Sequence, residues 1–368
     1  NDDVKRLSMP IGFRNHNDAT HIDSSAGLSP LMKKENLAFV HLGTNKTTKE
    51  AASHALIRGS ENCFHSFEDI PHNDTTFRKY QPDYVFHLAA QSIVKKSYSK
   101  PIYTWETNTI GTLNILESLK EIKKKCIVVL ITSDKSYKNL EIKRGYKEND
   151  ILGGKDPYSA SKASAELAIQ SHISSFFPPK KTKVLIGIAR AGNVIGGGDW
   201  SENRLIPDCV KSWSKNKKAE LRNPNATRPW QHVLEAVGGY LCLAINLKFN
   251  NNLHGEPFNF GPNLYREYSV LELVKTISKH WTNVSWKILP KTKKKFYESE
   301  LLRLNCNKAK KLLKWKSVLK FEEAIEMVAN WYSSYYLDPK NIENITAEQI
   351  KKFQSLAVER GLTWAKIS

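Results

Sequence analysis

Cys126-Ile-Val-Val-Leu-Ile131 runs without a break into Thr132-Ser-Asp-Lys135. Six apolar residues in a row suit a strand buried on both faces, and six are far too few to cross a bilayer. The same kind of run recurs upstream in Asp83-Tyr-Val-Phe-His-Leu-Ala-Ala90 and downstream in Lys183-Val-Leu-Ile-Gly-Ile-Ala189. Helical spacing fills the gaps between them. Tyr103 to Lys120 carries Ile110, Leu113, Leu116 and Leu119, and Tyr158 to Phe177 carries Ala163, Leu167, Ile169 and Ile173 as its inward residues. Strands that alternate with helices predict an α/β fold with a doubly wound parallel sheet. Ligands in such sheets sit at the carboxyl ends of the strands. Those ends are His87 to Gln91, Thr132 to Lys135 and Arg190 to Asn193, which places three polar clusters on one edge of one sheet.

The 368 residues suffice for one large domain or two intimate ones, and 40% apolar with 10% aromatic content is ordinary for a globular chain. The chain does not begin with Met, and no basic-then-apolar segment opens it, so a soluble protein is expected. Cys63, Cys126, Cys209, Cys242 and Cys306 stand singly with no CxxC pair, which points to a reducing cytoplasm and away from disulfides or a metal site. The net charge of +19 comes from lysines spread along the chain. That pattern argues against a nucleic-acid partner, and it suits an acidic substrate such as a diphosphate. No membrane partner is expected.

Past Asn193 the regularity breaks at Gly196-Gly-Gly198, Pro207, Pro224 and Pro229. Val233 to Leu247 reads as an apolar helix under the sheet, and Glu256 to Gly261 as a last strand and turn. Val270 to His280 and Phe321 to Tyr335 read as amphipathic helices, the second with Phe321, Ile325, Val328 and Tyr332 on one face. Thr346 and Gln349 have capping-box spacing, with Ile345 and Ile350 as a staple, and predict the start of a C-terminal helix. The expected organisation is a divergent or disrupted part at 1–75, the sheet domain at 76–192 with 231–261 returning to it, a smaller substrate-binding lobe at 193–230 and 262–345, and a helix at 346–368. Residues 1–75 are polar. Leu37 to Leu42 reads as a strand and Thr48 to Ile57 as a short helix. Gly12, Gly27, Gly43 and Gly59 are too widely spaced to form the glycine-rich turn that lets a backbone approach a pyrophosphate. An irregular segment with weak dinucleotide affinity is expected there.

Tyr158 and Lys162 are four apart on a helix, so both emerge on one face. An ammonium beside a phenol favours the phenolate, which makes a base for a sugar hydroxyl during hydride transfer. Ser133, Asp134 and Lys135 are either an ordinary strand-to-loop exit or a hydroxyl, an acid and a base placed over a substrate. An Asp can protonate a departing hydroxide, and a neutral Lys can take a proton from carbon beside a ketone. His87 reads as a packed strand-end histidine. Ala89 and Ala90 are small enough for a cofactor to come close. Arg204 and Arg228 are isolated loop cations, which taken alone read as solvated loop residues, though either could fork onto a diphosphate.

Taken together, the Tyr-x-x-x-Lys pair, the His-Leu-Ala-Ala strand and Asn193 resemble the extended short-chain dehydrogenases/reductases that act on nucleotide sugars. Thr-Ser-Asp-Lys135, Asp-Pro-Tyr-Ser-Ala-Ser-Lys162, Arg-Ala-Gly-Asn-Val-Ile-Gly-Gly-Gly-Asp-Trp200, Arg204-Leu-Ile-Pro-Asp208 and Arg228-Pro-Trp-Gln-His-Val-Leu-Glu235 are similar to the 4,6-dehydratase branch that takes CDP-glucose. The related dTDP- and UDP-sugar enzymes carry Asp-Glu at the position of Asp134-Lys135. The resemblance implies a Rossmann-like fold with a C-terminal substrate lobe, a lyase activity without a metal, and a place in deoxysugar biosynthesis such as that of a lipopolysaccharide O-antigen. It also implies a homo-oligomer and NAD as an internal hydride shuttle. Leu88, Ala89, Ala90, Thr132, Tyr158 and Lys162 would hold the cofactor, and Gln91, Asn193, Arg204 and Arg228 the nucleotide sugar. Tyr158 would be the base at C4 with Lys162 lowering its pKa, and Ser133 would bind the C4 oxygen. Asp134 would protonate the leaving C6 hydroxyl, and Lys135 would take the C5 proton. A related epimerase or decarboxylase, for which Asp134-Lys135 would be idle, and a relic that binds nucleotide sugar without turnover are the alternatives.

Overall fold

The computed structural model describes residues 76–365 apart from 143, 263–267, 283 and 291–300, together with five short strands in the first 66 residues. Two of these strands, β1 (Ser8–Met9) and β2 (Ile22–Asp23), pair with each other antiparallel. The other three, β3 (Leu37–Leu42), β4 (Ala52–Ile57) and β5 (Cys63–Ser66), join a seven-stranded sheet. Helix α1 (Thr76–Tyr80) leads into β6 (Tyr84–His87). Helices α2 (Val94–Ser99), α3 (Pro101–Trp105) and α4 (Gly111–Leu119), the last two bridged by a π-helical turn at Glu106–Ile110, cross to β7 (Cys126–Ile131). Helix α5 (Pro157–Phe176) crosses to β8 (Val184–Ala191).

A lobe follows. It contains β9 (Val194–Ile195), α6 (Leu205–Trp213), β10 (Ala219–Leu221), β11 (Thr227–Arg228) and β12 (Gln231–His232). The chain then returns through α7 (Val233–Phe249) to β13 (Pro257–Phe260) at the sheet edge. β14 (Tyr268–Ser269), α8 (Val270–Ile277) and β15 (Trp286–Ile288) go back to the lobe, and α9 (Phe321–Leu337) and α10 (Ile342–Glu359) close the chain.

The sheet order is β13-β8-β7-β6-β3-β4-β5. The first five strands run parallel, and β4 and β5 are antiparallel to their neighbours. Period-two alternation divides the buried strands between two layers. Val85, Val128, Leu130, Ile186 and Ile188 meet Leu116, Leu119 and Ile169 on the α4–α5 side. Tyr84, Phe86, Ile127, Val129 and Leu185 meet Leu243, Leu247 and Phe258 on the α7 side. The second layer is tight: a Cβ on Gly187 would stand 2.6 Å from Leu247 Cδ1. The lobe has its own core, in which Val210, Trp213, Val274, Ile325, Val328 and Tyr332 pack together.

The sheet, both crossover helices and the lobe agree with the expectations from sequence, and four details differ. Ala52–Ile57 is a strand where Thr48–Ile57 reads as a helix. A ten-residue helix is marginal alone, whereas a place between β3 and β5 supplies ladders of backbone bonds on both sides. Leu167 is 55% exposed, because the buried Glu166 takes the inward position one residue, about 100° of helix rotation, earlier. Ile110 is 47% exposed, and Ile115 is buried on that helix instead. Helix α10 begins at Ile342, so Thr346 is not a cap. Its hydroxyl bonds Ile342 O at 2.8 Å inside the helix and accepts from Trp331 Nε1 at 2.8 Å, while Gln349 Nε2 reaches Met327 O at 2.7 Å. Burial against α9 outweighs the local capping pattern. Gly12 and Gly43 lie outside the described residues.

Candidate active site

Asp156-Pro157 starts α5. Asp156 Oδ1 accepts from Ser159 N at 3.0 Å, and Pro157 occupies the first helical position, where a missing N–H costs nothing. The helix start is thereby fixed, and Tyr158, Lys162 and Glu166 follow at four-residue intervals along one buried face. They face the end of β7. There Ser133 caps a short 3-10 turn, Asp134–Ser136, by accepting from Lys135 N at 3.2 Å, and its hydroxyl donates to Asp134 Oδ1 at 3.0 Å. Asp134 is 2% exposed and Lys135 is half-buried.

The third arm comes off β8. Gly192 admits no side chain, because a Cβ there would collide with the Asp134 carboxylate. Asn193 takes a left-handed φ of 48°, which Asn tolerates better than most residues. Its Nδ2 comes within 3.5 Å of Asp134 Oδ2. Arg204, at the head of α6, donates to Asp199 Oδ2 at 3.2 Å and to Ser92 Oγ at 2.9 Å, and so ties the lobe to the loop after β6. Its charge reaches Tyr158. Arg228 lies on β11 in the lobe and donates to Thr227 O at 2.8 Å.

Burial is the largest influence on the charge states of both helix groups. Burial pushes the Tyr158 phenol up to about 12; the Ser133 hydrogen bond and Arg204 pull against this, and Asp134 and Asp156 add to it. Lys162 lies one turn further along the same buried face. Its Nζ reaches Ile131 O at 3.4 Å, and burial lowers it to about 8 despite the opposing charge of Glu166. For the phenol desolvation is the dominant influence, and the Lys162 ammonium engages the strand end.

The loop after β6 is braced from within. Asn108 Oδ1 accepts from Gln91 N at 2.8 Å, and its Nδ2 donates to Gln91 O and to Ser161 Oγ. Gln91 spends both ends of its amide on Thr104 Oγ1, at 3.0 Å, and Ile93 N, at 2.7 Å. Leu88 and Ala90 are half-buried, and Ala89 packs into the core of the α4–α5 layer. His87 is the packed histidine expected. The Thr112 hydroxyl donates to Asn108 O, so His87 Nε2–H donates to Thr112 Oγ1 at 3.1 Å. Burial, with Lys162 nearby, lowers His87 to about 3, so it is neutral.

Sequence reasoning missed the groups behind these arms. Thr132 Oγ1 donates to Glu166 Oε2 at 3.1 Å. Glu166 forms a buried ion pair with Arg190, whose Nη1 donates to Tyr137 Oη at 2.6 Å. Tyr240 of α7 feels the charges of Tyr158 and Asp134 from the opposite layer. Glu166 repeats the spacing of Tyr158 and Lys162, and Arg190 ends an apolar run. Those were the available signals.

A parallel sheet that presents a Tyr-x-x-x-Lys helix, an acid-base turn and a glycine-backed Asn at adjoining strand ends is the framework of an extended short-chain dehydrogenase/reductase. More particularly, a family model described as GDP-mannose 4,6 dehydratase matches residues 38–328, and the chain belongs to that family. It is 40% identical over 261 residues to the CDP-glucose 4,6-dehydratase of Salmonella typhimurium, covering 70% of this chain and 72% of that one. Among solved structures it is similar in fold to the UDP-glucose 4-epimerase of Thermotoga maritima with UDP-glucose. There the TM-score is 0.64 at 21% identity, with 82% of this chain and 91% of that one covered. It is also similar to the dTDP-glucose 4,6-dehydratase of Bacillus anthracis in complex with NAD. For that pair the TM-score is 0.56 at 22% identity, with 71% and 76% covered. No helix among the described residues is long and apolar enough to cross a membrane.

Proposed function

We propose that this protein converts CDP-glucose to CDP-4-dehydro-6-deoxy-glucose and water, with NAD as an internal hydride shuttle. The observation that carries the reading is the Asp134–Lys135 turn, set beside Tyr158 through Ser133. An epimerase needs only the Tyr158 half. The relative that is 40% identical bears the same activity in its name.

The residues fit a nicotinamide end. Lys162 has three donors in a buried setting, and its one carbonyl contact, at 3.4 Å, is long, which leaves donors for ribose hydroxyls. Thr132 and Ala90 adjoin it at the strand ends, and Leu88 and Ala89 back the loop. NAD bound there would supply the hydride acceptor for C4 and the hydride donor for C6. Tyr158 takes the C4 hydroxyl proton while Ser133 holds that oxygen. Lys135 then removes the C5 proton, now acidified by the adjacent carbonyl, and Asp134 gives a proton to the C6 hydroxyl as it leaves. Asn193, Arg204 and Arg228 hold the nucleotide sugar, and Gln91 steadies the loop they close on.

Residues 1–75 carry no glycine-rich turn in their sequence. In the sheet β3 pairs antiparallel with β4, whereas a dinucleotide-binding half continues with a parallel neighbour. Weak NAD affinity follows. Titration calorimetry with NAD tests this, and tight binding would contradict it. Incubation with CDP-glucose and NAD tests the reaction: product lighter by one water, with no net NADH, is expected, and epimerised CDP-glucose without dehydration would refute it.

We further place the protein in the cytosol, in a deoxysugar pathway, as a homo-oligomer. Ile102, Trp105 and Ile110 on the α3–α4 stretch and Leu167 and Phe176 on the adjacent α5 are exposed, which suits a second copy. Light scattering that finds only monomer would refute the oligomer.

A further inference from the structure

Three segments carry the proposed chemistry, and one buried ion pair touches all of them. Glu166 sits one helical turn beyond Lys162 on α5. Its Oε2 accepts from Thr132 Oγ1 at 3.1 Å, at the end of β7, immediately before Ser133-Asp134-Lys135. Its Oε1 accepts from Arg190 Nε at 2.6 Å, at the end of β8, two residues before Gly192-Asn193. Arg190 Nη1 then reaches past the turn to Tyr137 Oη at 2.6 Å and to Glu148 O at 2.9 Å, and Tyr137 Oη donates to Asn259 Oδ1 on β13 at 2.8 Å. Glu166 is 0% and Arg190 1% exposed. Two charges taken out of water gain little stability over apolar residues of the same volume, so stability alone is a poor reason for the pair.

We propose that the Glu166–Arg190 pair is a positioning device for the reaction read above, in which Glu166 orients Thr132 and places a carboxylate one helical turn from Lys162, while Arg190 anchors Glu166 to the turn and to the sheet edge. The charges around Lys162 are consistent with this. Tyr158 shares its helix face, His87 on β6 is neutral, and Asp134 and Arg204 act on Tyr158. Glu166 is the group that raises Lys162 against its burial. Without it, Lys162 would lose its proton at a lower pH.

The test uses the full chain and two variants. Glu166→Gln keeps the shape and one acceptor but removes the charge. The double variant Glu166→Leu with Arg190→Leu removes both charges and restores an apolar interior, so it separates positioning from folding. Two readouts are needed. Competitive labelling of Lys162 with acetic anhydride across pH, followed by peptide mass mapping, reads its proton with or without turnover. Single-turnover NADH formation on CDP-glucose reads the first hydride step. In both variants the Lys162 midpoint falls by about one pH unit, and the alkaline limb of the NADH step falls with it. The step slows by about tenfold or more while KM for CDP-glucose stays within about threefold. A folded Glu166→Gln protein with an unchanged Lys162 midpoint overturns the inference, and so does a double variant with parental rate and pH profile. If the parent protein turns over no CDP-glucose, the proposed function fails, and the labelling result still decides this inference.

Discussion

Gly192→Ala is the sharpest perturbation of the acid-base turn. A methyl at this position would stand 2.9 Å from Asp134 Cβ and nearer still to its carboxylate. Carbon atoms rest about 3.5–4 Å apart, so Asp134 or the β8 exit must move by about 1 Å. Neither is free to do so cheaply. Asp134 is buried, held by Ser133 Oγ at 3.0 Å and close to Asn193 Nδ2 at 3.5 Å. A displacement of that size costs a proton transfer about 10²-fold, or roughly 2.7 kcal/mol. Tyr158 and Lys162 stand on α5, a different segment, so the first oxidation should be nearly spared. In single-turnover absorbance, bound NADH should therefore accumulate and decay about 10²-fold more slowly than in the parent. Decay within threefold of the parent, in a protein with the parental circular dichroism spectrum, would refute the assignment of Asp134 to the elimination.

The remaining predictions separate chemistry from stability. Tyr158→Phe should abolish NADH formation, whereas Lys135→Ala should leave it and stall elimination by about 10²- to 10⁴-fold; identical loss of NADH formation in both would contradict the assigned roles. Glu235 is buried and accepts from Val318 N and Leu319 N, and burial raises it to about 7 from 4.5. A raised acid holds its proton longer in the native state, so its contribution is complete below about 4.5 and is lost as pH rises through about 7. Unfolding midpoints measured from pH 4.5 to 8 should carry this decline, and Glu235→Gln should flatten it. Asp156→Ala removes the α5 cap and should cost about 1 kcal/mol in urea titration.

The sheet was legible because its strands are uniform apolar runs ending in polar clusters, and period-two burial leaves that pattern little choice of partner. Tyr158, Lys162 and the 133–135 turn were legible for the same reason: each is polar where its element should be dry. Glu166 and Arg190 were not read as a pair, since 24 residues separate them and only the pairing of β7 with β8 brings the helix face and the strand end together. Thr346 misled because a capping pattern is local, and the docking of α10 on α9 is not. The raised pKa of the Tyr158 phenol was not legible, because burial depends on how the helix packs and not on four-residue spacing. In Ala52–Ile57 the local preference for helix lost to pairing between β3 and β5.

The place of β13 has a consequence for synthesis. It pairs with β8, yet the whole run from β9 to α7 is made between them. When Arg190 leaves the ribosome, Tyr137 is already waiting, but Asn259, the acceptor that completes the chain of contacts, is still unmade. At about 5–20 residues per second the delay is several seconds. During that time the exit of β8 is an open sheet edge with a charged side chain at its tip. Parallel pairing over such a gap is slow, and exposed edges invite other chains. Truncations that end before Pro257 should therefore emerge as aggregates, and the active site of this protein should be among the last parts of the molecule to become ordered.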